Sequence, residues 1–546
     1  MTFPSLKYNF FLGDWMKKSL LKNVKTLATF SDCFEVKATT EETISSLVKR
    51  VPFFDTCIFL SKMSTDEMDE EVFKTALVQT LLNKRIRFKE DAIIPNKLFS
   101  QQTILQFWKY LITYGNPDND NKLNGEDFAF LIGYISLMIN DTLWSEKISE
   151  LKSQVFSNGI FSSGYDFDDF AVAIARTDYV YTTIAQEKSF FNKNDYMDIN
   201  KDFFNKYGYS IKDYIAVWFG LIAGFINPNG NADHWSMKSD FFQKTNLYST
   251  AKTILMEEGQ KIDCYTNFCK TSLKKPIDFS GFISKPLLFI NDEYFLPISL
   301  YLIKKEFFKR LFYKVKDVYP RENNKFLSFF GLPFEVYAQN LLKESLSKKL
   351  KYEFTKDFKY GKNNKSPDIM IRLGNRLIVI EVKSFRLSFS TVFEPNTKPV
   401  EDEIEKFVVK PLRQASKRLK EMIDLNVEFL NNVEEVDFII VGNGVIPIIQ
   451  EHKDIISRDI KEDFNNLPVN VTSYNYLSIE EFEYFCSLME KNKPVFKVLE
   501  RYSTNGELFE NFVNFLKHNS YRVKRPKKLN ELYKLTMEEI RDNFFN

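Results

Sequence analysis

Asp368, Glu381 and Lys383 are the residues of this chain whose types and spacing best suit chemistry. They lie in 366–383, SPDIMIRLGNRLIVIEVK, where two runs rich in Ile, Leu and Val flank Gly374-Asn375. Such a dipeptide between apolar runs signals a two-residue β-hairpin, because Gly and Asn both tolerate positive φ. With the turn at those two residues, Leu373 pairs with Arg376 and Asp368 falls opposite Glu381. Opposed residues share a face, with Cβ atoms about 5 Å apart. Lys383, two residues beyond Glu381, lies on that face too. Facing carboxylates repel unless something positive sits between them. A hard divalent cation suits the place, Mg²⁺ or in its stead Mn²⁺. The plainer reading is an edge salt bridge between the two acids and Lys383. With a cation held by Asp368 and Glu381, the set suits phosphodiester hydrolysis, which needs a nucleophilic water and neutralised phosphoryl oxygens. Lys383 would stabilise developing negative charge or orient the water.

The hairpin needs elements around it. Upstream, 326–349 reads as a helix entered at Gly331 and Pro333. Phe334, Tyr337, Ala338, Leu341 and Leu342 line one of its faces, with Glu335 on an adjacent one. Glu335 completes the metal shell if that helix packs over the hairpin. A first strand is expected at 350–354. Downstream, 401–425 is a charged helical stretch that Pro411 should split, serving as first residue of the second part. Gln414 then lies on the first turn of that part, beside Lys410, Arg413 and Lys417, a set suited to contact a nucleic acid. The run 437–441 (DFIIV) reads as a strand buried on both faces. A last strand at 470–474 leads to a helix at 478–493, capped by Ser478 with Glu481 three residues on. The order helix, three strands, helix, strand, strand, helix predicts an α/β sandwich with a central mixed sheet.

Pro367-Asp368, twelve residues, then Glu381-Val382-Lys383 resembles the core motif of the PD-(D/E)XK nuclease superfamily, the restriction-endonuclease-like fold. Glu335 matches that family's first acidic position. Gln414 is similar to a glutamine that some branches place on the following helix, although Arg418 stands where those branches have tyrosine. The resemblance covers 326–495. It implies a Mg²⁺-dependent nuclease, with Glu335, Asp368, Glu381 and the carbonyl of Val382 as metal ligands and Lys383 as a catalytic residue. The expected activity is that of a DNA endonuclease, by analogy in bacterial restriction or antiviral defence. The alternatives are an RNA-cleaving nuclease, or a catalytically silent module on the same fold that binds nucleic acid or protein.

Length and charge set the frame. A chain of 546 residues predicts two to four domains. Net charge is only +2, but 341–420 holds 19 Lys and Arg against 10 Asp and Glu, leaving the remainder at −7. A basic segment around the acids suggests a polyanionic substrate. Residues 1–275 read as a mostly helical domain without a catalytic constellation, suited to sensing, recruitment or regulation through self-association or a protein partner. A connecting hairpin and helix fill 276–325. A helical extension, 496–546, carries the basic run 522–528 (RVKRPKK), which reads most simply as a solvated tail. The Asx-rich loop 116–127 lacks the ligand spacing of a calcium loop and suits turn and capping duty. Five irregularly spaced cysteines point to a reducing compartment, and Cys264 and Cys269 have no histidine near to make a zinc site. No signal peptide is expected, and the most apolar run, 214–226, is too short for a bilayer. The expectation is a cytoplasmic protein without a membrane partner.

Overall fold

The sheet that carries the hairpin is built outward from it. Gly374 takes the positive φ that the turn requires, at 65°. The two strands then pair with Leu373 opposite Arg376 and Ile369 opposite Ile380, the register expected. They are the second and third of five strands in the computed structural model. We label these β1 (Glu353–Lys356), β2 (Ile369–Leu373), β3 (Arg376–Lys383), β4 (Glu435–Gly442) and β5 (Asn470–Ser478). Their spatial order follows the chain. β1, β2 and β3 are antiparallel neighbours, while β4 runs parallel to both β3 and β5.

The helices around it are α1 (Lys325–Ser345), α2 (Lys410–Asp424), α3 (Gln450–Asn465), α4 (Ile479–Glu490) and α5 (Lys527–Phe545). One face of the sheet, with Met370, Leu377, Val379, Phe438 and Ile440, shares a core with Leu412, Ala415 and Leu419 of α2 and Ile456 and Ile460 of α3. α1 packs on β3, and α4 on β4, β5 and α1. Alternation leaves Ile378, Ile380, Ile439 and Val441, all buried, for that second layer.

Three details differ from the sequence reading. α1 begins at Lys325, so Pro333 lies inside the helix and does not mark its start. The aromatic contacts of Phe326 and Phe330 with Phe312 hold the turns that the missing N–H weakens. The first strand sits at Glu353–Lys356, shifted so that Glu353 pairs with Arg372. Between β4 and β5 stands α3, which the sequence reading omits. Parallel neighbours need a crossover, and a helix supplies it. Pro411 behaves as expected: the helix Thr397–Ile404 passes through a π-turn, Glu405–Val409, into α2, where Pro411 occupies the first turn.

The structure describes residues 27–545 apart from 37–38, 66–69, 120–121, 144–169, 193, 227–235, 321–324, 385–386, 388–396, 447–449, 506–510 and 523. The acidic stretch 164–169 and the loop 227–233 lie outside the described residues. Two compact units emerge. One is Met1–Leu151 with Ile222–Gln243 and Lys252–Lys304; the other is Lys152–Leu221 with Lys244–Ala251 and Lys305–Asn546. Boundaries at 275, 325 and 495 therefore do not coincide with them. The first unit is chiefly helical, and Asn124 caps its helix Gly125–Asp141 from the Asx-rich loop. It also holds a four-stranded sheet, ordered Met237–Lys238, Tyr294–Pro297, Leu287–Phe289, Gly259–Lys261, of which the sequence shows only the central hairpin. In the second unit, Arg176 reaches Glu480 at 2.7 Å and Glu483 at 2.6 Å, both on α4. Among the described residues no single helix is long and apolar enough to cross a membrane.

Candidate active site

Asp368 sits just before β2, where the ladder with β3 ends. Its Oδ2 accepts the backbone N–H of Val382 at 2.8 Å, so the side chain continues the ladder. Its own carbonyl accepts the N–H of Asp357 at 3.1 Å and the amide of Gln339 at 3.1 Å. The aspartate is fixed from three sides and is only 4% exposed. Glu381, on β3, is fully buried. Its Oε2 meets the Lys383 ammonium at 2.7 Å, and its Oε1 meets the Arg418 guanidinium at 2.9 Å. Lys383 also stands 4.0 Å from Asp368 Oδ2. The hairpin thus gathers the three expected residues.

A second set of groups adjoins them. A short ladder between β1 and β2 pairs Lys359 with Lys365, turning through Gly361 and Asn363 at positive φ. That fold-back brings Lys365 to Asp357, 3.5 Å away, and to Asp368 at 3.6 Å. The same ammonium lies 3.4 Å from Glu335 of α1. The Gln339 amide, one turn along α1, donates to both Glu335 and Asp357 at 3.1 Å. Glu335 therefore does pack toward the hairpin, as the sequence reading required. Four carboxylates, from Glu335, Asp357, Asp368 and Glu381, face three cations, from Lys365, Lys383 and Arg418.

Burial and crowding shape the charge. Burial, reinforced by the Asp368 charge and opposed by Lys365, pushes the Glu335 carboxyl up to about 7. Burial and the Asp368 charge also raise Glu381, against the pull of Lys383 and Arg418. Carboxylate oxygens of this kind suit Mg²⁺ or Mn²⁺. Among the described residues, however, no three His, Cys, Asp or Glu side chains converge as a metal shell. The lysines and the arginine hold the carboxylates here. The donor types fit a hard cation, and the cations of the chain occupy the positions between them.

The remaining expected residues are placed as follows. Val382 is buried in β3, opposite Val441, and gives its N–H to Asp368. Gln414, Lys410 and Lys417 are exposed on α2. Arg413 is drawn outward to Asp463 at 3.1 Å and to the carbonyl of Asp459. None of these four contributes a bond to the carboxylate cluster among the described residues. Arg418, one turn beyond Gln414, takes that role. Sequence reasoning marked Arg418 only as a departure from a motif, and it missed Asp357, Lys365 and Gln339. The available signals were the i, i+4 spacing from Gln414 and a lysine three residues before Asp368.

No protein-family model, curated protein or solved structure matches this chain.

Proposed function

We propose that this protein is a metal-dependent nuclease of the PD-(D/E)XK type, with a restriction-endonuclease-like second unit. The observation that carries this reading is the meeting of Asp368, Glu381 and Lys383 at one buried end of a β-hairpin, in a basic stretch of the chain. Asp368, Glu381 and Glu335, with the carbonyl of Val382, would hold Mg²⁺ or Mn²⁺. When bound, the ion supplies Lewis-acid neutralisation of the phosphoryl oxygens and a more acidic water. Lys383, set beside Glu381 and Asp368, stabilises the negative charge that builds on the phosphoryl group. Arg418 neutralises Glu381 and offers a guanidinium to a phosphate oxygen once substrate is present. Lys365 and Gln339 hold Asp357 and Glu335 in place. DNA is the favoured substrate, by analogy with restriction and antiviral systems.

The test is incubation of the purified chain with supercoiled plasmid, linear duplex, single-stranded DNA and tRNA, each with Mg²⁺, Mn²⁺ or EDTA. Fragments from DNA under a divalent ion, and none in EDTA, support the reading. Cleavage of tRNA alone would move the assignment to an RNA nuclease, and binding without cleavage under any metal would leave only an interaction module.

A further inference from the structure

The basic run near the C-terminus is not a loose tail. Arg525 is anchored in it: its guanidinium donates to the carbonyl of Glu480 at 2.9 Å, pairs with the buried Glu483 and stacks 4.0 Å from the Tyr484 ring. The backbone N–H of Lys527 donates to Glu490 at 3.3 Å, and Lys528 pairs with Glu344 at 3.3 Å. Lys527 thus sits at the last residue of α4, and Arg522 and Lys524, both exposed, lie a few residues before it in the chain.

There it meets other cations. α4 closes through Lys491, Asn492 and Lys493, with Asn492 in the left-handed conformation at φ 55°. The Lys491 ammonium is buried and has no hydrogen-bond partner. Burial, opposed by the Glu490 charge and reinforced by the charges of Lys524, Arg522 and Lys493, holds it below the ordinary lysine range. Glu490 already accepts the backbone N–H of Lys527. Among the described residues Lys491, Lys493, Arg522 and Lys524 make no ion pair. A helix C-terminus attracts lysines by its dipole, which accounts for Lys491 and Lys493. It does not account for two further cations delivered from a separate segment.

We propose that Lys491, Lys493, Arg522 and Lys524 form a phosphate-binding surface that grips a nucleic-acid backbone. The missing counter-charge is anionic. Three of the four groups are exposed and spread over two segments, which suits a polymer of repeated phosphates better than one enclosed ion. Such contacts position a duplex without reading its sequence. The inference is independent of the cleavage chemistry, because binding is measured without metal.

The test is binding of a fluorescent DNA duplex to the whole chain in EDTA, across a salt series. The variant Lys491→Gln, Lys493→Gln, Arg522→Gln, Lys524→Gln is compared with a control, Lys348→Gln, Lys349→Gln, Lys534→Gln, and with the charge-conserving K491R, K493R, R522K, K524R. The proposal expects roughly tenfold or greater loss of affinity in the first variant and a salt slope shallower by about three to four. The control and the charge-conserving variant should keep both, and all should unfold at the wild-type temperature. Inorganic phosphate provides the second arm. Unchanged duplex binding with lost phosphate binding would show a small-anion site and overturn the proposal. Unchanged binding of both, an equal loss in the control, or no duplex binding by the wild type would overturn it as well.

Discussion

Glu381 is a fully buried carboxylate held by two cations, one on each oxygen. A buried acid so placed is stable only while its partners remain. If Arg418 also meets the phosphate, Arg418→Ala should slow metal-dependent cleavage by about ten- to a hundredfold, and Arg418→Lys should recover part of it. Equal rates in R418A and wild type would remove Arg418 from the site. Asp437 gives a separate residue-scale prediction, away from the carboxylate cluster. It lies on β4 opposite Ile378, bonded by Thr472 and Ser473 at its Oδ1 and 3.5 Å from Arg376. Burial, opposed by those hydroxyls and Arg376, pushes its carboxyl up to about 6. A raised pKa means the folded state holds the proton more tightly. The contribution is fully present below the ordinary aspartate value near 4 and lost as pH rises through about 6. Asp437→Asn keeps the neutral form at every pH. Its stability relative to wild type should rise by about 2 to 3 kcal/mol between pH 4 and pH 7.5, read by urea unfolding. A difference that stays flat with pH would contradict the burial argument.

At the scale of elements, the hairpin turn sets the register that makes the site. A Cβ added at Gly374 would meet nothing within 4 Å, so its backbone conformation alone decides a substitution. Gly374→Val should cost about 1 to 2 kcal/mol, while Gly374→Asn should be tolerated; a similar loss in both would show that packing, not φ, is at stake. This turn was legible from sequence because strand alternation and positive φ are local properties. The same holds for the Ser478–Glu481 capping box and for the break at Pro411. The crossover helix α3 was not legible, because its apolar stripe is thin: Ile456 and Ile460 are buried among many charges. Lys365 and Asp357 reach the site only through the fold-back at Lys359–Tyr360, and Arg418 only through the packing of α2 on β3. No spacing rule carries such long-range placement. The extension containing Arg525 looked like a tail because its partners, Glu480 and Glu483, lie about forty residues earlier in the chain.

Across the molecule, the second unit is assembled from distant stretches, and a buried ion network joins them. Arg176, Tyr337 and Arg525 all converge on Glu483, which is fully buried. Removing one cation leaves that carboxylate under-compensated. Arg176→Met should lower the stability of this unit by about 3 to 5 kcal/mol in urea, and a loss below about 1 kcal/mol would mean that Arg525 alone suffices. The proposed role rests on the hairpin, where Asp368, Glu381 and Lys383 meet. The most direct measurement is cleavage of supercoiled plasmid by the wild-type chain and by Lys383→Ala, with Mg²⁺ and with EDTA. The account predicts nicked and linear products from the wild type with Mg²⁺ only, and at least a hundredfold less from K383A, whose circular dichroism should match the wild type at the assay temperature although the loss of a Glu381 partner lowers its unfolding temperature. Equal cleavage by both proteins, or cleavage in EDTA, would contradict it.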